Sequence, residues 1–438
     1  NIKPLIISTV EEWRRLVDYS ITLGIVVDDM CGKYGLNEGE LLKWKEEYKY
    51  MSACLEKRKH VLIFTIKSHL CMKILTTLEP TLNTPGLLFS IDICLNLDNI
   101  NGELAEKTEF ANTYLKEFSL NEGEISNLCE MHEASVGFPQ LCRAAMRFNE
   151  KSRLFDLFSK PREIILHEMK HFLHHESIIY GCLVLVMTFE GHLTLQSIRE
   201  LETSSGKQED KVPATLRSYL RDATPIKILD TMKSITGTYI SVNGSDESYS
   251  FVHDSIAEAV FISYGEYFPN ETLLYCPLEL ICHCCTFQKE SKSADTISNE
   301  NMLILQPCYQ TILIKRFVVA LMSKDPKEFA AISEATVWSS EKFRKLFITQ
   351  CRDVHNLADK NNASLLVHAA NANNNYLANE LLNDMNQMTA EQKELVAQFH
   401  TKAAKASCVH KDISLLEKIW EHGNIDSNDV LLSTVKRG

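Results

Sequence analysis

The sequence predicts a multidomain α/β plus α protein, and three observations carry that expectation. Residues 1–95 alternate short apolar runs with helical patterns. Residues 214–264 read helix–helix–hairpin–helix. Residues 359–423 contain two look-alike helical stretches. Strands alternating with helices argue a doubly wound parallel sheet, and a repeated helix pair argues a solenoid.

In the first segment, Pro4-Leu5-Ile6-Ile7-Ser8 reads as a short strand. Thr9 to Tyr19 reads as a helix with Val10, Trp13, Leu16 and Val17 on its apolar face. The run Leu23-Gly24-Ile25-Val26-Val27 is continuously apolar and ends in Asp28-Asp29, which suits a strand buried on both faces of a parallel sheet. A helix is expected over Glu38–Leu55. Further buried strands are expected at His60–Ile66 and Leu87–Leu95.

Residues 96–162 read as a small helical domain. Lys107 to Phe118 places Phe110, Tyr114, Leu115 and Phe118 on one face. A turn follows at residues 119–123. The next helix, from Glu124, is expected to end near Gly137-Phe138-Pro139. Residues 163–285 form the next domain. It opens on a long apolar helical stretch, Glu163–Phe189, with a break near His175. Helices at Ala214–Asp222 and Pro225–Ser234 precede strands at Gly237–Val242 and Tyr249–Val252, joined by Asn243-Gly244. Asn-Gly between apolar runs is a strong hairpin signal. The helix Asp254–Tyr264 completes the outline of a winged helix.

Residues 286–301 are polar and Ser-rich and read as a linker within a segment of helices, 286–345. The tail, 346–438, is expected to hold the repeats. Asp359–Leu382 and Phe399–Gly423 each carry an Ala-Ala step followed by a leucine pair. Ser364-Leu365-Leu366-Val367-His368-Ala369-Ala370 resembles the Thr-Pro-Leu-His-x-Ala-Ala block of ankyrin repeats. Asn373 stands where glycine is usual, and asparagine tolerates a left-handed backbone.

Composition narrows the class. The 438 residues are 45% hydrophobic and 24% charged, the balance of a soluble globular protein. No apolar run reaches the roughly 18 residues of a membrane span. Fourteen scattered cysteines read as reduced, mostly buried thiols in a cytoplasmic protein. A formal net charge of −12 argues against nucleic acid as the main partner. The chain begins with Asn1 and has no signal-peptide order, so a missing start is the simplest reading.

The most informative chemistry is Ile25-Val26-Val27-Asp28-Asp29. A carboxylate at the carboxyl end of a buried strand sits where open α/β sheets bind ligands. Asp28 there can hold Mg2+, and Asp29 beside it can orient or deprotonate an attacking water. This is the Walker B arrangement of P-loop NTPases. The P-loop pattern G-x-x-x-x-G-K-[ST] does not occur in the chain, and the expectation is that the missing start carried it.

At this point the sequence resembles the third class of novel STAND NTPases. The block Asp28-Asp29-Met30-Cys31-Gly32-Lys33 is similar to their Walker B block. Val61–Lys67 resembles the next strand, which ends in a sensor residue. Phe138-Pro139-Gln140-Leu141-Cys142-Arg143 resembles a Phe-Pro-Leu-Leu-Cys-Arg block. Leu229–Ala259, with Ser250-Phe251-Val252-His253-Asp254 at its core, resembles the winged-helix segment. The ordered set spans roughly residues 5 to 345.

The resemblance implies ATP/ADP and Mg2+ as cofactors. Asp28 would bind the magnesium and Asp29 would position water. Lys67, standing where the family has arginine, would sense the γ-phosphate. Pro139 would pack near the adenine, and His253 would touch the bound diphosphate. A capping histidine before a helix is the other reading of His253. Protein partners would dock on the helical repeats, and activation would bring homo-oligomerisation.

Two metal patterns compete for notice. His167-Glu168-Met169-Lys170-His171 matches H-E-x-x-H, the zinc-peptidase pattern, in a histidine-rich stretch without a third-ligand helix. Cys282-His283-Cys284-Cys285, with Cys276 upstream, reads better as buried thiols, because neighbours on one turn cannot close a tetrahedron. The expectation is therefore a truncated P-loop NTPase domain, a helical domain, a winged helix and ankyrin-like repeats acting as a nucleotide-dependent signalling switch. The rivals are an interaction scaffold with a decayed NTPase core and a zinc peptidase.

Overall fold

A computed structural model describes residues 3–7, 9–17, 23–27, 43–44, 46–47, 51, 61–65, 104–131, 138–145, 151–190, 193–200, 212–220, 223–243, 248–287, 302–351, 357–385, 388–410, 412–422 and 430. The chain divides into two units. One comprises residues 1–96 and 314–438, the other residues 97–313. The described residues are mostly helical, with small parallel and antiparallel sheets.

The first unit opens with β1 (Lys3–Ile7), α1 (Val10–Leu16), β2 (Leu23–Val27) and β3 (Val61–Phe64). The three strands are parallel in the order β1-β2-β3, with Ile6 and Ile63 both in register with Val26. The central place of β2 is as its apolar run predicts. Burial on both faces is not. Leu23, Ile25 and Val27 are buried, whereas Ile6 and Ile63 are 68% and 52% exposed. Register partners share a face, so one face of this sheet is closed and the other is open among the described residues. Phe64, on the closed face with its partner Val27, meets the fully buried Trp44 edge to face at 6.3 Å.

Helix α1 starts where Thr9 Oγ1 accepts the Glu12 N–H at 3.2 Å and inserts Val10 and Trp13 into the core. It ends sooner than predicted, because Val17 is extended, and Leu16 is exposed. In the predicted helix Glu38–Leu55, Lys43, Trp44, Glu46, Glu47 and Met51 are helical. The predicted strand Leu87–Leu95 lies outside the described residues.

The second unit begins with α2 (Leu104–Tyr114), α3 (Glu122–Met131), α4 (Phe138–Ala145) and α5 (Lys151–Ser159). They share one core that includes Leu115, Leu128, Phe138, Leu141, Leu154 and Phe158. Phe110 is not in it. It is exposed and stacks on Tyr114, because α2 gives way to a 3-10 turn at Lys116–Phe118 and the predicted face does not persist. A reciprocal cap opens α3: Asn121 Oδ1 accepts the Glu124 N–H and Glu124 Oε2 accepts the Asn121 N–H, both at 2.9 Å. Phe138-Pro139 does not end a helix but begins α4, where a proline in the first turn lacks only a donor with no helical partner.

Next come α6 (Pro161–His175) and the apolar α7 (Ser177–Thr188), broken at Glu176. After the bridge residue Leu193 follow α8 (Leu195–Glu200), α9 (Ala214–Leu220), α10 (Pro225–Ile235), the hairpin β4 (Ile240–Asn243) and β5 (Ser248–Phe251), and α11 (Asp254–Tyr267). The register Asn243↔Ser248 leaves four residues in the hairpin loop, not the two of an Asn-Gly turn. Tyr249 N–H donates to Leu193 O at 2.8 Å, adding a third chain segment to the hairpin.

Helices α12 (Pro269–Tyr275) and α13 (Leu278–Cys284) lead to β6 (Cys285–Phe287), which pairs in parallel with β7 (Leu303–Leu305). β6 takes the first two residues of the predicted linker, and β7 follows the linker's end. Gly265 packs beneath β7, where a Cβ would lie 2.3 Å from Leu303 Cδ2 and displace that side chain.

Helix α14 (Gln310–Ser323) enters the first unit, followed by α15 (Pro326–Glu334), α16 (Glu341–Gln350), α17 (Leu365–Asn371), α18 (Asn375–Met385), α19 (Ala390–Val409) and α20 (Ile413–His422). Alternate helices pack on each other: α15 on α17, α17 on α19, α16 on α18 and α18 on α20. The result is a stack of three helix pairs. The first begins ahead of residue 346 and carries its own Ala330-Ala331 step. Asn373 has φ 54°, the left-handed backbone its position predicts.

Candidate functional site

The five predicted site residues fall in two different units. Asp28, Asp29 and Lys67 lie outside the described residues, but the strands that precede them do not. β2 ends at Val27 and β3 at Phe64, and Thr65 N–H continues the ladder by donating to Val27 O at 2.9 Å. Val27 closes the central strand at the carboxyl end of the parallel sheet, where such sheets bind ligands, and Asp28 follows it in the sequence.

Pro139 is the second residue of α4, and its side chain lies outside the described set. Its neighbours Phe138, Leu141 and Cys142 are buried in the helical core, and the Phe138 ring packs edge to face on Phe158 at 5.1 Å.

His253 is fully described and is the N-cap of α11, in extended conformation. Its Nδ1 accepts the Ser255 N–H at 3.1 Å and lies 2.7 Å from Ser255 Oγ. A ring nitrogen that accepts a backbone N–H carries no proton, so the neutral imidazole holds its proton on Nε2. The cap thus fixes both the ring and its tautomer. The capping reading of His253 is correct: its imidazole caps the start of α11 through Nδ1.

The H-E-x-x-H stretch lies on α6. His167 and His171 are exposed, and Met169 is buried. A peptidase base must be available to a metal-bound water. Glu168 instead accepts the hydroxyl of Tyr239, and Lys170 pairs with Glu266 at 2.7 Å. Cys276, Cys282, Cys284 and Cys285 are buried thiols outside any disulfide. Burial pushes Cys284 and Cys285 far above the ordinary thiol range, and Cys142 and Cys182 up to about 12. Thiols so shifted are poor nucleophiles. Among the described residues, no group of three or more His, Cys, Asp or Glu is placed to hold a metal ion.

Sequence reasoning missed one buried polar pair, Asp359 with His368, whose side chains are 1% and 7% exposed. The acid precedes the ankyrin-like block by a few residues, and only the fold makes its carboxylate the partner of the block's histidine. Among the described residues, no helix is long and apolar enough to cross a membrane. Compared with family models, curated proteins and solved structures, the chain matches none.

Proposed function

We propose that this chain is the Walker B, sensor and winged-helix portion of a STAND-type nucleotide switch, in which ATP/ADP and Mg2+ govern domain opening and oligomerisation. The observation that carries the reading is the sheet order β1-β2-β3. It puts the strand before Asp28-Asp29 between the strand of Ile6 and the strand of Ile63, the central place expected from its unbroken apolar run. The hairpin bounded by α10 and α11, extended by Leu193 and followed by a histidine cap, supports the winged-helix portion. In the proposed switch Asp28 holds magnesium, Asp29 orients water and Lys67 meets the γ-phosphate as a point charge; the resemblance gives Pro139 a role towards the base and His253 one towards the diphosphate. The test is calorimetry with Mg2+-ATP on protein that includes a P-loop. Asp28→Ala should abolish the magnesium dependence, and nucleotide binding indifferent to both magnesium and Asp28 would reject the site.

A second reading, an interaction scaffold, is favoured by the stack from α15 to α20. Paired helices repeated in one direction present an extended surface to protein partners. Pull-down with residues 326–438 deleted separates the readings, because a scaffold loses its partners and a switch keeps its nucleotide.

A further inference from the structure

We propose that His171 and His175 form a two-point chelate for a divalent transition-metal ion of the copper, nickel and zinc class. Residues four apart on a helix lie one above the other on the same face. The two rings are 4.7 Å apart between centroids and inclined by 39°, and both residues are exposed. Imidazole nitrogens bind such ions at about 2.0–2.1 Å. Two rings at this separation can therefore turn one nitrogen each toward a shared ion, with water or an outside ligand filling the remaining positions.

The scaffold holds the pair in place. Phe172 and Leu173 bury the opposite side of α6, and the Phe172 ring packs edge to face on Tyr239 at 5.5 Å. Glu176 N–H donates to Phe172 O at 2.9 Å and closes the last turn. His175 sits in that turn, with His171 just ahead of it, and the carbonyl end of the helix favours a cation. His174, between them in sequence, bonds through Nε2 to the Tyr267 hydroxyl at 3.1 Å and is held by a different partner.

This site differs from the peptidase pattern, which needs His167, His171 and Glu168. Its two ligands make it an open binding site for a metal ion or a metal complex. The order of divalent affinities predicts Cu2+ ahead of Ni2+ and Zn2+.

The experiment is titration of the whole chain with Cu2+ in a non-coordinating buffer near neutral pH, read by calorimetry and by the copper absorption band. One site is expected. Its affinity should fall about tenfold or more in His171→Ala and in His175→Ala, and stay unchanged in His167→Ala and His174→Ala. Far-UV circular dichroism of each variant checks that α6 is retained, and His171→Asn and His175→Asn replace any variant that unfolds. Wild-type affinity in either the His171 or the His175 variant overturns the proposal. So does an equal loss in His167→Ala, which would move the metal to the H-E-x-x-H pair.

Discussion

His368 Nε2 lies 2.8 Å from Asp359 Oδ2 inside the helix-pair stack, while Asp359 Oδ1 accepts the N–H groups of Asn361 and Ala363 at 2.8 and 2.9 Å. One carboxylate thus ties the loop before α17 to that helix. Burial alone would raise the Asp359 pKa. The His368 hydrogen bond and the two backbone N–H groups outweigh it and hold the carboxyl below its ordinary value of 3.8.

The sign of the pH effect follows. The folded-state value lies below the unfolded one, so the carboxylate's contribution is complete above the ordinary value. It is lost as pH falls through the lower, folded-state value. Asp359→Ala should cost roughly 3 kcal/mol at neutral pH, because it removes one partner of a buried pair. Urea melts of wild type and variant should differ most at neutral pH and converge in strong acid. Equal midpoints at neutral pH would show that His368 and the loop need no carboxylate.

Asn373 supplies a second test of the stack. Its φ of 54° is a conformation that a β-branched residue adopts only with strain. Asn373→Gly should be neutral or slightly stabilising, and Asn373→Val should cost about 1–2 kcal/mol. Thermal melts of the two variants should move apart, and a shared midpoint would contradict the left-handed turn between α17 and α18.

The same elements show how far the sequence could be read. β2 was legible to the residue because five apolar positions in a row have few alternatives, and its neighbours followed from the alternation of strand and helix. Its open face was not legible, since the exposure of Ile6 and Ile63 depends on which layers meet the sheet. The hairpin strands were legible from their apolar runs. Their register was not, because Asn-Gly marks a turn without fixing where pairing resumes. The strand pair β6–β7 was hidden by its brevity and by the polar stretch between its members. Of the site, His253 was legible as a residue at a helix start. Its tautomer was not, because that depends on which donor meets Nδ1.

The H-E-x-x-H stretch predicts a negative result. Protein purified without chelator should carry no zinc that depends on His167, since Glu168, the base such a site would need, is engaged with Tyr239. Elemental analysis decides it. One zinc per chain, lost in His167→Ala, would restore the peptidase reading.

Nucleotide binding by this chain by itself should be weak and without turnover. A Walker B acid contributes metal ligation, whereas most phosphate contacts come from the backbone of a P-loop, whose pattern the sequence lacks. Calorimetry with Mg2+-ATP on the purified chain should give little heat. Tight magnesium-dependent binding would mean that another loop cradles the phosphates.

The last prediction concerns His253 and tests the switch. Nδ1 is committed to the Ser255 N–H, so a diphosphate oxygen would be met by the Nε2–H, with the positive end of α11 beside it. A hydrogen bond to a charged group contributes about 1.5–3 kcal/mol. If the contact exists only in the closed, diphosphate-bound state, its loss shifts the closed-to-open ratio by more than about tenfold. His253→Ala removes the donor and the cap together, and a lost cap costs about 1 kcal/mol by itself. His253→Asn separates the two effects, because asparagine is a good N-cap but does not place a donor where Nε2–H stands. In the full-length protein with bound diphosphate, His253→Asn should therefore melt like wild type yet oligomerise spontaneously on size-exclusion chromatography. A monomeric His253→Asn profile, with destabilisation confined to His253→Ala, would leave His253 as a helix cap and take away its part in the switch.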